Sequence, residues 1–177
     1  MLIVYMKYFK IISVMFLNTI IMNVLAQDIN KTKIDEKSQT EMLIGLCNRD
    51  GLKSDVFKTY YNSEYTVYIP DTLTVTNLKT TFAGDDIKIT IVMGSWCGDS
   101  QEQVPRFYKV IDALEFSEKN ILLYCVDRSK KSEKNETDIL KIQLVPTIIF
   151  YKDDNEIGRI IESPKNSLEK DMLQIFS

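Results

Sequence analysis

Apolar residues along the chain fall into stretches of different period, and those periods predict the elements. Ile87-Lys88-Ile89-Thr90-Ile91-Val92-Met93 reads as a buried strand, and Ile121 to Val126 is a continuous apolar run, the pattern of a strand covered on both faces. Between them Val104, Phe107, Ile111 and Leu114 recur at helical spacing, which predicts a helix to about Phe116 with Pro105 inside it, expected to kink it. Val145 to Tyr151 and Glu156 to Ile161 flank the polar Asp153-Asp154-Asn155 and predict an antiparallel hairpin. Leu168, Met172, Ile175 and Phe176 predict a last helix capped by Asn166 or Ser167, and 138–142 a short helix. Upstream, Leu73, Leu78 and Phe82 suggest an inward face of a helix from Asp71, its N-cap, to Ala83, against the weak propensity of its threonines. Gly84-Asp85-Asp86 then turns into the first strand. The order predicts an α/β fold with a mixed four-stranded sheet, a parallel pair plus a hairpin, sandwiched by helices.

The N-terminal part is patterned differently. Residues 27–40 are polar and read as a linker or the start of a solvated helix, 41–47 as one or two helical turns burying Met42, Leu43, Leu46 and Cys47, and 55–61 as another short helix. Tyr60, Tyr61, Tyr65 and Tyr68 cluster locally, either to pack this extension onto the main domain or to form a peptide-binding platform. The organisation expected is a helical extension at 27–70 and a domain at 71–177.

Lys7 and Lys10, the apolar run from Ile11 to Leu25 and the small-residue site at Ala26 have the three parts of a secretory signal peptide, read as residues 1–26 with Gln27 as the mature N-terminus. A start at Met6 would bring the lysines nearer its front. The run is shorter than the roughly 20 residues a membrane span needs and contains Asn18, Thr19 and Asn23, so no stable span is expected after cleavage. Export to the periplasm or cell envelope follows as an expectation. Cleavage removes two lysines and no acid, taking the net charge from −3 to −5, and with no basic stripe nucleic acid is not an expected partner. Histidine is absent, which excludes Cys–His and Ser–His catalysis and imidazole metal sites. Cys47, Cys97 and Cys125 form neither a CxxC pair nor a zinc set, so no metal or cofactor is expected.

Cys97 is the residue with chemistry to explain. It stands where the first strand ends and the long helix begins, and there the free N–H groups and the positive end of the helix dipole favour a thiolate. Asp99 opposes them as a like charge nearby. Cys125 reads as core. Cys47 reads either as core or as a resolving thiol brought to Cys97 by the extension.

Trp96-Cys97-Gly98 at the first strand-to-helix corner, Pro105 in the helix and Val145-Pro146-Thr147 before the hairpin together resemble the thioredoxin superfamily, over roughly residues 71–177. Gly94 to Phe107, with its Trp-Cys-Gly-Asp-Ser core, looks closer still to exported thioredoxin-like proteins of Bacteroidetes-type bacteria, which also carry a helical N-terminal extension. The resemblance implies a thioredoxin-like fold, a cis Pro146 beside the nucleophile Cys97, and substrate binding by Trp96, Val145, Pro146 and Thr147, the backbone of Val145 pairing with the substrate chain. The partners it implies are protein or small-molecule thiols and disulfides. Two departures from the pattern matter. Ser100 stands where the family has its resolving cysteine, so a mixed disulfide on Cys97 cannot be closed within the motif, although the Ser100 hydroxyl can assist by hydrogen-bonding the thiolate. Ile91 stands where thioredoxins bury a proton-relaying aspartate.

Two functions from different classes follow. The first is a monothiol thiol–disulfide exchange protein acting through Cys97 and Ser100. The second is a thioredoxin-fold binding module that keeps the docking groove without turnover, its tyrosine-rich extension holding a partner.

Overall fold

The computed structural model describes residues 29–81 and 87–177. The signal peptide read at 1–26, the end of the helix expected to reach Ala83 and the turn at Gly84-Asp85-Asp86 lie outside the described residues. In chain order the elements are β1 (Lys31–Ile34), β2 (Glu41–Cys47), α1 (Arg49–Leu52), α2 (Lys58–Val67), α3 (Thr72–Thr81), β3 (Ile87–Met93), α4 (Gly98–Leu114), β4 (Ile121–Cys125), β5 (Thr147–Lys152), β6 (Asn155–Ile161) and α5 (Leu168–Ile175). Short 3-10 turns occupy Glu118–Asn120 and Asp138–Leu140.

The α/β fold with a mixed sheet flanked by helices is the one the pattern predicts. β3 and β4 pair in parallel, β5 joins β3 antiparallel, and β5 and β6 make the hairpin. The sheet is larger than the expected four strands: among the described residues its order is β1-β2-β4-β3-β5-β6, six strands. The two additional strands come from the extension, whose reading as wholly helical is corrected here. Residues 41–47, read as a helix, form β2 antiparallel to β4, with Gly45 opposite Cys125 and Cys47 opposite Leu123. Residues 31–34, read as linker, form β1 on the outer edge of β2. A run of buried apolar residues as short as Met42 to Ile44 has no period that separates strand from helix, and the free edge of β4 decides the matter. Gly45, at φ +76°, takes a left-handed backbone that a residue with a Cβ adopts only at a cost. The other half of the extension is helical, as α1 and α2.

Ile87, Ile89, Ile91 and Met93 of β3 face a core shared with Phe107 and Ile111 of α4, Leu78 of α3, Met172 of α5 and Leu52, Phe57 and Tyr61 of the extension. A smaller cluster of Val92, Val126 and Val145 lies beneath Trp96 and Cys97, with Leu140 and Ile142 packed against it. Helix starts follow their capping signals. Asp71 Oδ1 accepts from the Thr74 N–H at 2.9 Å, Asn48 accepts from Asp50 and Gly51, and Ser167 accepts from Lys170. Leu73, read as facing inward, is 71% exposed. Three of the four tyrosines of the cluster pack the extension down: Tyr61 is buried and stacks on Tyr65 at 5.5 Å, Tyr65 donates to Asp112, and Tyr68 donates to Glu169 at 2.7 Å. Among the described residues no helix is long and apolar enough to cross a membrane.

Candidate active site

β3 ends at Met93, the loop Gly94–Trp96 turns, and Cys97 caps α4 with extended backbone. The Cys97 N–H donates to Gly94 O at 2.9 Å and the Gln101 N–H donates to Cys97 O at 2.9 Å, which fixes the thiol at the helix entrance. Cys97 is half-buried and its Sγ–H donates to Val145 O at 3.2 Å. The Val145–Pro146 peptide is cis. The structure therefore brings Cys97 together with the loop that the sequence names as its partner.

Val145, Pro146 and Thr147 are buried, so the loop meets other groups mainly through its backbone. Pro146 O accepts from the Glu162 N–H at 2.7 Å, and the Thr147 hydroxyl donates to Leu144 O at 2.7 Å. Thr147 thus braces the loop and has no free polar tip for a substrate. Ser100 is fully buried, and its Oγ accepts from the Gly94 N–H at 3.2 Å. The hydroxyl satisfies the turn beneath the thiol, while the Cys97 thiol bonds to Val145 instead. Ile91 is fully buried in the sheet, so no carboxylate stands at that position.

Trp96 is held from two sides. Its Nε1–H donates to Val126 O at 2.9 Å, and the Arg128 guanidinium lies 4.8 Å from the ring centroid. Arg128 is gripped in turn by Asp35, in the β1–β2 turn of the extension: Nε lies 2.9 Å from each carboxylate oxygen and Nη2 lies 2.6 Å from Oδ2. Asp35 is 2% exposed, and its hydrogen bonds from Arg128 first and Ser38 next hold its carboxyl well below the usual carboxylate range. The same bond raises the Arg128 guanidinium, to which the charge of Cys97 also adds. The extension reaches the loop a second time, where Ser95 Oγ accepts from the Leu43 N–H of β2 at 2.9 Å. A cleft of about 600 Å³ lies here, lined by Ser38, Glu41, Tyr60, Trp96, Gln101 and Arg128 among others.

The other two cysteines stand apart from this site. Cys47 and Cys125 are free and buried in the main core, on the adjacent strands β2 and β4. A hydrogen bond with Cys47, reinforced by burial, pushes the Cys125 thiol well up. Cys47 thus sits beside Cys125, and the alternative that made it the resolving partner of Cys97 is corrected.

A thioredoxin family model matches residues 71–174, which include the Cys97 corner, the long helix, the cis-proline loop and the hairpin. The chain belongs to the thioredoxin family. Thiol–disulfide oxidoreductase-type function goes with that membership. Similar solved structures include thioredoxin from Malassezia sympodialis (20% identity, 58% of this chain and 85% of that one, TM-score 0.38) and thioredoxin O2 from Arabidopsis thaliana in the oxidised state (18%, 58% and 90%, 0.40). A Pseudomonas aeruginosa protein of unknown function, PA1234, is 15% identical over 67% of this chain and 80% of that one, with a TM-score of 0.41. No curated protein matches the chain. In this thioredoxin-family chain, sequence reasoning missed Arg128 and Asp35 as neighbours of the motif and assigned no role to Ser95 and Gln101 within it. Asp35 and Arg128 are separated by 93 positions and carry no spacing signal, so only the folded extension brings them together.

Proposed function

We propose that this chain is an exported thiol–disulfide exchange protein of the cell envelope, of the kind found in Bacteroidetes-type bacteria, that works through Cys97 alone. The observation that carries this reading is a half-buried thiol at a helix N-cap, 3.2 Å from the carbonyl of Val145 in the cis-proline loop, with a buried serine at the second motif position. The Cys97 thiol loses its proton to water, and the thiolate attacks one sulfur of a substrate disulfide. The second sulfur leaves as a thiolate with the bonding pair, and a mixed disulfide remains on Cys97. An external thiolate then attacks the mixed disulfide and frees Cys97. Trp96 supplies a half-buried flank of the thiol and Val145 a backbone edge, while Ser100 supports the turn.

A second reading, a binding module without turnover, is favoured by one specific observation: Ile91, fully buried in the sheet, offers no proton relay. A non-reducing diagonal gel of the native envelope fraction separates the two. Adducts that vanish in Cys97→Ala support exchange, and their absence supports the binding module. N-terminal sequencing of the mature protein tests export, with Gln27 as the expected first residue.

A further inference from the structure

We propose that Arg128 is a specificity residue of the Cys97 site, and that its free end docks a carboxylate on the disulfide substrate beside the thiol. This inference rests on the exchange reading above and names the class of disulfide that reading leaves open. A guanidinium presents five N–H donors, and Asp35 takes the edge formed by Nε and Nη2. The Nη1 end makes no hydrogen bond among the described residues, and the side chain is 34% exposed at the cleft beside Trp96. The guanidinium lies 4.8 Å from the ring centroid of Trp96, the residue next to Cys97 in the chain, and its positive charge there favours negative charge at the neighbouring thiol.

Asp35 does not cancel this charge for a substrate. It is nearly fully buried on its own edge of the guanidinium, so a carboxylate reaching Nη1 meets the positive group at hydrogen-bond distance and Asp35 only beyond it, and Coulomb energy falls with distance. The bidentate grip and the Trp96 stack also hold the guanidinium in one place, so little side-chain freedom is lost on docking. Two carboxylates, Glu41 and Asp55, also line the cleft. Asp55 is paired with Lys58, which leaves Glu41 as the opposing charge. The chemistry is the exchange step already written: Cys97 forms the new S–S bond, and the carboxylate-bearing half either stays as the adduct or leaves as its thiolate. Arg128 exchanges no proton or electron.

The test is the rate of Cys97 with two activated aromatic disulfides, dianionic 5,5′-dithiobis(2-nitrobenzoate) and neutral 4,4′-dithiodipyridine, and with the aliphatic, dicationic cystamine, whose more basic leaving thiol makes it intrinsically slower. In Arg128→Gln the anionic-to-neutral rate ratio falls about tenfold, the size of one charge-assisted contact, and added salt erodes the wild-type ratio. Arg128→Lys restores most of the ratio. Because Arg128→Gln alone leaves Asp35 buried without its cation, the Asp35→Asn/Arg128→Gln pair repeats the measurement with an amide pair in place of the ion pair, and the same fall is expected. Equal changes for the anionic and neutral probes, or a wild-type preference for cystamine, overturn the assignment. If no probe reacts in a Cys97-dependent way, the exchange reading itself fails.

Discussion

Cys97, Ser100 and Ser95 show how one turn is divided between chemistry and support. The Cys97 thiol faces Val145 O, Ser100 accepts from Gly94, and Ser95 accepts from Leu43, so both serine oxygens hold backbone of the turn and its neighbouring strand. Iodoacetamide added to the native protein is expected to label Cys97 and to spare the buried Cys47 and Cys125, which react only after unfolding; tryptic mass spectrometry reads the difference. Ser100→Cys is expected to create a dithiol that oxidises to a disulfide between Cys97 and the introduced thiol, found by peptide mapping. Its cost is about 1 kcal/mol from the weakened Gly94 contact, read by urea unfolding. The chemistry of this turn was legible because Trp-Cys-Gly and Val-Pro-Thr each occupy a few consecutive residues. Arg128 and Asp35 were not, because a guanidinium on an indole is a tertiary contact with no local pattern.

Among the elements, the strands β3 to β6 and the helices α4 and α5 lie close to where hydrophobic period and capping residues place them; β3 is buried on both faces, whereas β4, read as covered on both, leaves Leu122 50% exposed. Residues 41–47 do not form the element read for them, since Met42, Leu43 and Ile44 are all buried and their period is uninformative. What makes them a strand is the edge of β4, together with Gly45 at φ +76° opposite Cys125. Gly45→Ala is expected to destabilise the protein by roughly 1–2 kcal/mol, the cost of a left-handed backbone with a Cβ, visible as a lower urea midpoint. Asp71→Ala, which removes the cap from α3, should cost about 1 kcal/mol by the same assay.

At the scale of the whole molecule, the extension is part of the site as well as part of the sheet. β1 and β2 continue the sheet past β4, and the turn between them delivers Asp35 to Arg128. Because the Asp35 carboxyl is held below its unfolded value, its contribution to stability is complete above the ordinary carboxylate range of about 4 and is lost progressively as pH falls below it. Asp35→Asn is expected to lower stability at neutral pH and to flatten the loss on acidification, measured as thermal midpoints between neutral and acidic pH. The proposed function requires that this site hold one reactive sulfur, Cys97. Intact mass spectrometry after treatment of the reduced protein with glutathione disulfide is the decisive measurement of that property. A single reactive sulfur gives a persistent adduct of one glutathione, mapped to Cys97, absent in Cys97→Ala and removed by added thiol. An internal disulfide that includes Cys97, or an adduct of undiminished yield in Cys97→Ala, would contradict it.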